Sequence, residues 1–135
     1  MMKRFLVLSS VALALSGCVG ADTIEITTQP VKNASVFSSA KTLIADRMRD
    51  PEATRFKPEY AVYNTSAGDY IVCGTVNAKN AMGGYVGYTP FYARIRNNAI
   101  AILKLASGDE DRAATEAFVI DACSDAASGK MMVSS

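Results

Sequence analysis

Hydrophobic and polar residues keep different periods in different parts of this chain, and the changes of period mark its elements. Phe5 to Leu15 is an eleven-residue apolar run broken only by Ser9 and Ser10. Val19 to Ala34 is polar, carries Pro30, and has one pattern, the alternation Thr23-Ile24-Glu25-Ile26-Thr27; it reads as a tether, with a short strand as the alternative. Phe37, Ala40, Leu43, Ile44, Arg47 and Met48 then fall three or four apart. This spacing predicts a helix from a Ser35 cap to about Arg49, stopped by Asp50-Pro51.

The period next shortens to two. Arg55 to Asn64 and Asp69 to Ala78 read as strands joined at Ser66-Ala67-Gly68. Tyr88 to Ile95 and Ala99 to Leu105 read as two more, turned at Asn97-Asn98. Helical spacing returns after Ser107-Gly108-Asp109, with Asp109, Glu110 and Asp111 placed in a first turn, where the helix dipole favours acids. Ala113, Ala117, Ile120 and Ser124 share one face of it, as do Phe118 and Ala114, and Cys123 falls in its last turn. The order predicts an α+β domain over 35–127: a four-stranded antiparallel sheet with the N-terminal and C-terminal helices on one face, and a tail from 128 to 135.

Composition narrows the chemistry. The chain has no histidine, which removes Ser-His-Asp triads, Cys-His pairs and His-based zinc sites. Beyond Lys3 and Arg4 the basic residues are scattered singly, which argues against nucleic acid as a partner. Neither a cofactor motif nor a metal-ligand spacing is present; Asp109-Glu110-Asp111 lacks the spaced oxygens of a calcium loop. A non-enzymatic protein is expected.

The N-terminus reads as an export signal. Lys3 and Arg4 precede the apolar run, which is too short to span a bilayer, and Leu15-Ser16-Gly17-Cys18 has the form of a lipobox. Cleavage before Cys18 leaves 118 of the 135 residues, with 12 basic side chains against 13 acidic. Each buried acyl methylene contributes about 0.8 kcal/mol, so two or three chains on Cys18 hold the protein to its membrane. Val19, rather than an aspartate, follows the cysteine and favours the outer membrane, facing the periplasm. With Cys18 lipidated, Cys73 and Cys123 remain as an even pair. In an oxidising compartment they read as one disulfide; two free thiols or a redox pair is the rival reading, without a Cys-x-x-Cys spacing.

The densest chemistry lies in Asn77 to Phe91. Three glycines interrupt it, Tyr85, Tyr88 and Phe91 supply aromatic faces, and Asn77, Lys79 and Asn80 supply donors. Two readings stand. It is a partner-binding loop, with rings stacking and amides reading hydroxyls, or a wide hairpin whose asparagines bond their own backbone. No Gly-Lys-[Ser/Thr] makes it a phosphate loop.

Two blocks carry a resemblance: Asp50-Pro51-Glu52-Ala53-Thr54-Arg55-Phe56, and Val72-Cys73-Gly74-Thr75-Val76-Asn77-Ala78-Lys79-Asn80 continuing through Gly83-Gly84-Tyr85-Val86-Gly87-Tyr88-Thr89-Pro90-Phe91. Together they resemble a group of small uncharacterised proteobacterial exported proteins and lipoproteins, over about Leu43 to Ile95. Ala81-Met82 departs from the Ser-Phe type pair common there. The resemblance implies a shared exported domain and no activity. The resulting expectation is a membrane-anchored envelope lipoprotein acting as a binding module, toward peptidoglycan or another envelope protein. A lysozyme-inhibitor lipoprotein is the alternative, and a carboxylate-based hydrolase the third.

Overall fold

The computed structural model describes residues 26, 30–106 and 111–130. The segment read as an export signal, Cys18, residues 107–110 and the last five positions lie outside the described residues. Helix α1 spans Ala34–Ala45. It is followed by β1 (Arg55–Phe56), β2 (Ala61–Asn64), β3 (Tyr70–Asn77), β4 (Thr89–Arg96) and β5 (Ala99–Leu105), and then by helix α2 (Arg112–Ala127). The expected α+β class holds, with the Cys73–Cys123 disulfide formed across a Cα separation of 6.1 Å.

The sheet has five strands rather than four, because the expected first strand breaks in two. β1 and β2 both pair antiparallel with the same side of β3. Phe56 lies opposite Val76 and Ala61 opposite Cys73, so five steps on one chain face three on the other. Lys57 still donates its amide to Thr75 O at 3.0 Å, but the next residue is Pro58, which has no N–H for the ladder. β4 and β5 continue on the other side of β3. Asn97 and Asn98 turn β4 into β5 with φ of 50° and 56°, the left-handed pair of a two-residue hairpin turn. Ile95 pairs with Ile100 and Arg94 with Ile102, so Ala101 is the extra residue of a bulge.

The two helices cover opposite faces of the sheet instead of sharing the one face expected. Phe37, Ala40 and Ile44 of α1 pack with Val62, Val72, Val76, Phe91, Ala93 and Ile95. Val119, Ala122 and Ala126 of α2 pack with Ile26, Tyr63, Ile71 and Tyr92. The physical reason is visible in β3: Ile71 and Cys73 point one way, Val72 and Val76 the other, and both sets are apolar. A strand that is apolar on both sides needs cover on both.

The helix ends also differ from expectation. Asn33, not Ser35, caps α1, its side chain accepting from Val36 N at 3.1 Å. Asp111 caps α2 and accepts from Ala114 N at 3.2 Å, so the acid placed inside the first turn stands before it. The inner face of α2 is Val119, Ala122, Cys123 and Ala126, while Ala113, Ala117, Ile120 and Ser124 face solvent. Ser128 to Lys130, read as tail, close the helix: Lys130 N donates to Asp125 O at 2.8 Å and Gly129 N to Ala126 O at 3.1 Å. Within the stretch read as a tether, Ile26 is buried and bridges Thr65, and Val31 N donates to Val62 O at 2.8 Å, so both join the β2 edge. Among the described residues no helix is long and apolar enough to cross a membrane.

Candidate functional site

The β3–β4 connection is a folded hairpin extension held from two sides. Lys79 and Tyr85 form a bridge, and Asn80 N donates to Gly84 O at 2.8 Å. The Asn80 side chain accepts from Met82 N at 3.0 Å and Gly84 N at 3.1 Å, which fixes the tip. Asn77 does the same at the base, accepting from Gly87 N at 3.1 Å. Gly83 and Gly87 have φ of 79° and 94°, a region costly for any residue with a Cβ. The two asparagines read as candidate partner contacts thus spend a side-chain oxygen on their own loop.

One flank of the hairpin docks on the turn that follows α1. In that turn Asp50 Oδ1 accepts from Ala53 N at 3.1 Å, and Thr54 Oγ1 donates to Asp50 O at 3.0 Å. Lys79 Nζ reaches Asp50 Oδ2 at 3.2 Å, and Tyr85 OH donates to Ala53 O at 2.8 Å. The Lys79 ammonium, with the Ala53 amide, holds the Asp50 carboxyl below its ordinary pKa, against a smaller upward push from desolvation. The two motif blocks separated along the sequence are therefore two halves of one contact.

The other flank is clamped by the first residue of α2. Arg112 donates from Nη1 to Val86 O at 2.7 Å and from Nη2 to Tyr88 O at 3.3 Å, while its Nε meets Glu116 Oε1 at 2.7 Å. Thr89 Oγ1 donates to the same Glu116 oxygen at 3.1 Å. The Arg112 hydrogen bond is the main reason that the Glu116 carboxyl titrates below its usual range.

Three of the expected site residues separate here. Phe91 is fully buried in the α1-side core, where its ring meets Phe56 edge-on at 6.0 Å, and presents no surface to a partner. Tyr85 and Tyr88 stay 47% and 45% exposed, each beside a lysine: Lys79 Nζ lies 5.7 Å from the Tyr85 centroid and Lys57 Nζ 5.0 Å from that of Tyr88. Met82, which was not singled out from sequence, is 92% exposed at the tip. Also unforeseen were the docking partners Ala53, Arg112 and Glu116. Ala53 stood within the first motif block, and the sequence signal for the other two was the Arg112–Glu116 spacing of four on a helix.

A second polar cluster closes the far end of the sheet. Asp69, 2% exposed, accepts from Arg94 Nε at 2.6 Å and from Arg96 Nε at 3.0 Å. Arg96 first, then Arg94, lower its carboxyl pKa against the opposing effect of desolvation. Arg94 Nη2 also lies against Asp69, yet without the alignment of a hydrogen bond. Among the described residues no three His, Cys, Asp or Glu side chains gather as a metal site. Comparison with protein-family models, with curated proteins and with solved structures finds no match to this chain.

Proposed function

We propose that this protein is an envelope lipoprotein, cut before Cys18 and anchored by acyl chains on that residue, whose domain acts as a non-enzymatic binding module for another envelope protein. The observation that carries the binding role is the β3–β4 hairpin. It is fixed by bonds at Asp50, Ala53, Val86 and Tyr88, and it still leaves Tyr85 and Tyr88 nearly half exposed and Met82 almost wholly so. Rigid aromatic side chains with a flexible methionine are the residue types enriched at protein interfaces, and a held loop loses little conformational entropy on binding. Peptidoglycan is the less favoured partner, since Asn77 and Asn80, the amides available to read sugar hydroxyls, accept from the loop's own backbone.

The test is crosslinking in intact cells followed by purification of the full chain. A discrete envelope-protein partner lost in Tyr85→Ala/Tyr88→Ala, with the fold retained by circular dichroism, is the expected result. Capture unchanged by that double substitution removes the hairpin from the role. Cys18→Ser is expected to move the protein out of the membrane fraction; continued partitioning with membranes overturns the anchor.

A further inference from the structure

The hairpin also forms one wall of a cleft of about 700 Å³, closed by the residues after α1 and by the end of β5. Its lining has a particular chemistry. Eight of its thirteen residues are aliphatic, three are cations (Arg47, Arg49 and Lys79), and Asn80 and Thr89 complete it. It contains no acid and no aromatic ring. Arg49, Lys79, Asn80 and Ala81 also border a neighbouring hollow that carries Asp50 and Glu52, so the acids of the region line that hollow and not this cleft. Arg47 is held by one bond, from Nη2 to Ile100 O at 3.2 Å, and keeps its other donors. Arg49 is exposed and makes no hydrogen bond or ion pair among the described residues.

We propose that this cleft binds an aliphatic carboxylate, with the acidic head at Arg47 and Arg49 and the hydrocarbon on Met48, Val86 and Leu105. Guanidinium forks match a carboxylate in a bidentate manner, which fits the head. Methionines at the floor and tip, Met48 and Met82, adapt to a flexible chain. A sugar is disfavoured, because the walls offer no ring to stack on. The volume lies within the range of small-ligand sites. Neither Tyr85 nor Tyr88 lines the cleft, so Tyr85→Ala/Tyr88→Ala tests the aromatic surface without touching this site, and Met82 alone is common to both.

Calorimetric titration of the full chain with dodecanoate tests the proposal, using Cys18→Ser so that no acyl group of the protein competes. Saturable one-to-one binding is expected, with dodecanol bound about tenfold more weakly or worse, consistent with loss of one charge-assisted contact. Arg49→Gln should weaken dodecanoate by a similar factor and leave dodecanol unchanged. Met82→Asp, at a tip position 92% exposed, should weaken both. No saturable binding, equal affinity for the alcohol, or dodecanoate affinity insensitive to Arg49→Gln overturns it. Tighter binding of dodecyl phosphate than of dodecanoate overturns the carboxylate assignment.

Discussion

Lys79 and Asp50, 29 residues apart in the chain, meet at 3.2 Å, and 2.8 Å from Tyr85 OH lies Ala53 O in the same turn. The two contacts are unequal. The ion pair is exposed, with about a third or more of each side chain in water, and such pairs contribute little. The tyrosine bond is partly buried and neutral, worth about 0.5–1.5 kcal/mol. Tyr85→Phe should therefore lower the urea midpoint by more than Lys79→Met does. The reverse ranking would show that the salt bridge, not the hydroxyl, holds the hairpin down.

The disulfide should matter more to α2 than to the rest of the domain. The buried face of α2 is Val119, Ala122 and Ala126, whereas α1 inserts Phe37 and Ile44. Small side chains bury little apolar area, so α2 depends on its staple. The bridge spans a sequence separation of 50, for which chain entropy gives about 4 kcal/mol. Cys73→Ala/Cys123→Ala should cost a stability of that order, with hydrogen exchange accelerating across Arg112–Ala127 before Ala34–Ala45. Uniform acceleration over both helices would count against this.

Periodicity made the strands legible: β5 falls on its expected bounds, and Asn97-Asn98 turns as its chemistry demands. The number of strands was hidden by Pro58, whose effect is a missing donor inside an otherwise continuous pattern. The placement of the helices was written in β3, where Ile71 and Val72 point to opposite faces and are both buried; the two-sided hydrophobicity was the clue. The inner face of α2 was illegible because an alanine-rich helix has no strong apolar stripe, and Ile120 faces water. In the candidate site, Asn77 and Asn80 followed the local-turn reading, since Asx bonds are short-range. The contacts of Asp50, Ala53 and Arg112 with the hairpin were out of reach, because only the tertiary fold brings these residues to it.

Asp69 is expected to set the acid limit of stability. Its carboxyl is lowered chiefly by Arg96 and also by Arg94, so its folded pKa lies below the unfolded value, which is about 3.9. A depressed carboxyl contributes stability that is fully present above the unfolded pKa and is lost as pH falls through the folded one. Stability of the parent chain should thus decline below about pH 4, and that decline should be shallower in Asp69→Asn. The substitution should itself cost about 3–5 kcal/mol at neutral pH, since it strands the largely buried Arg94. Parallel pH profiles for the two proteins would remove Asp69 from this role.

Gly74 is expected to be the least replaceable residue of β3, although its strand conformation suits any side chain. A Cβ there would stand 2.8 Å from Phe91 Cε1 and 2.9 Å from Cζ, closer than real contacts allow. Phe91 cannot swing away freely: it is fully buried, and its ring abuts Phe56 edge-on. On the far side, Phe37 lies 3.7 Å from the same point and is stacked on Tyr60 at 3.9 Å between centroids. Inserting a methyl into a packed aromatic cluster costs about 1–3 kcal/mol. Gly74→Ala should lower the thermal midpoint accordingly. Phe91→Leu in the same chain should recover part of the loss by vacating the space that the new methyl needs, even though Phe91→Leu alone is destabilising. A double substitution whose cost equals the sum of the two single costs would show that Gly74 and Phe91 do not compete for that space.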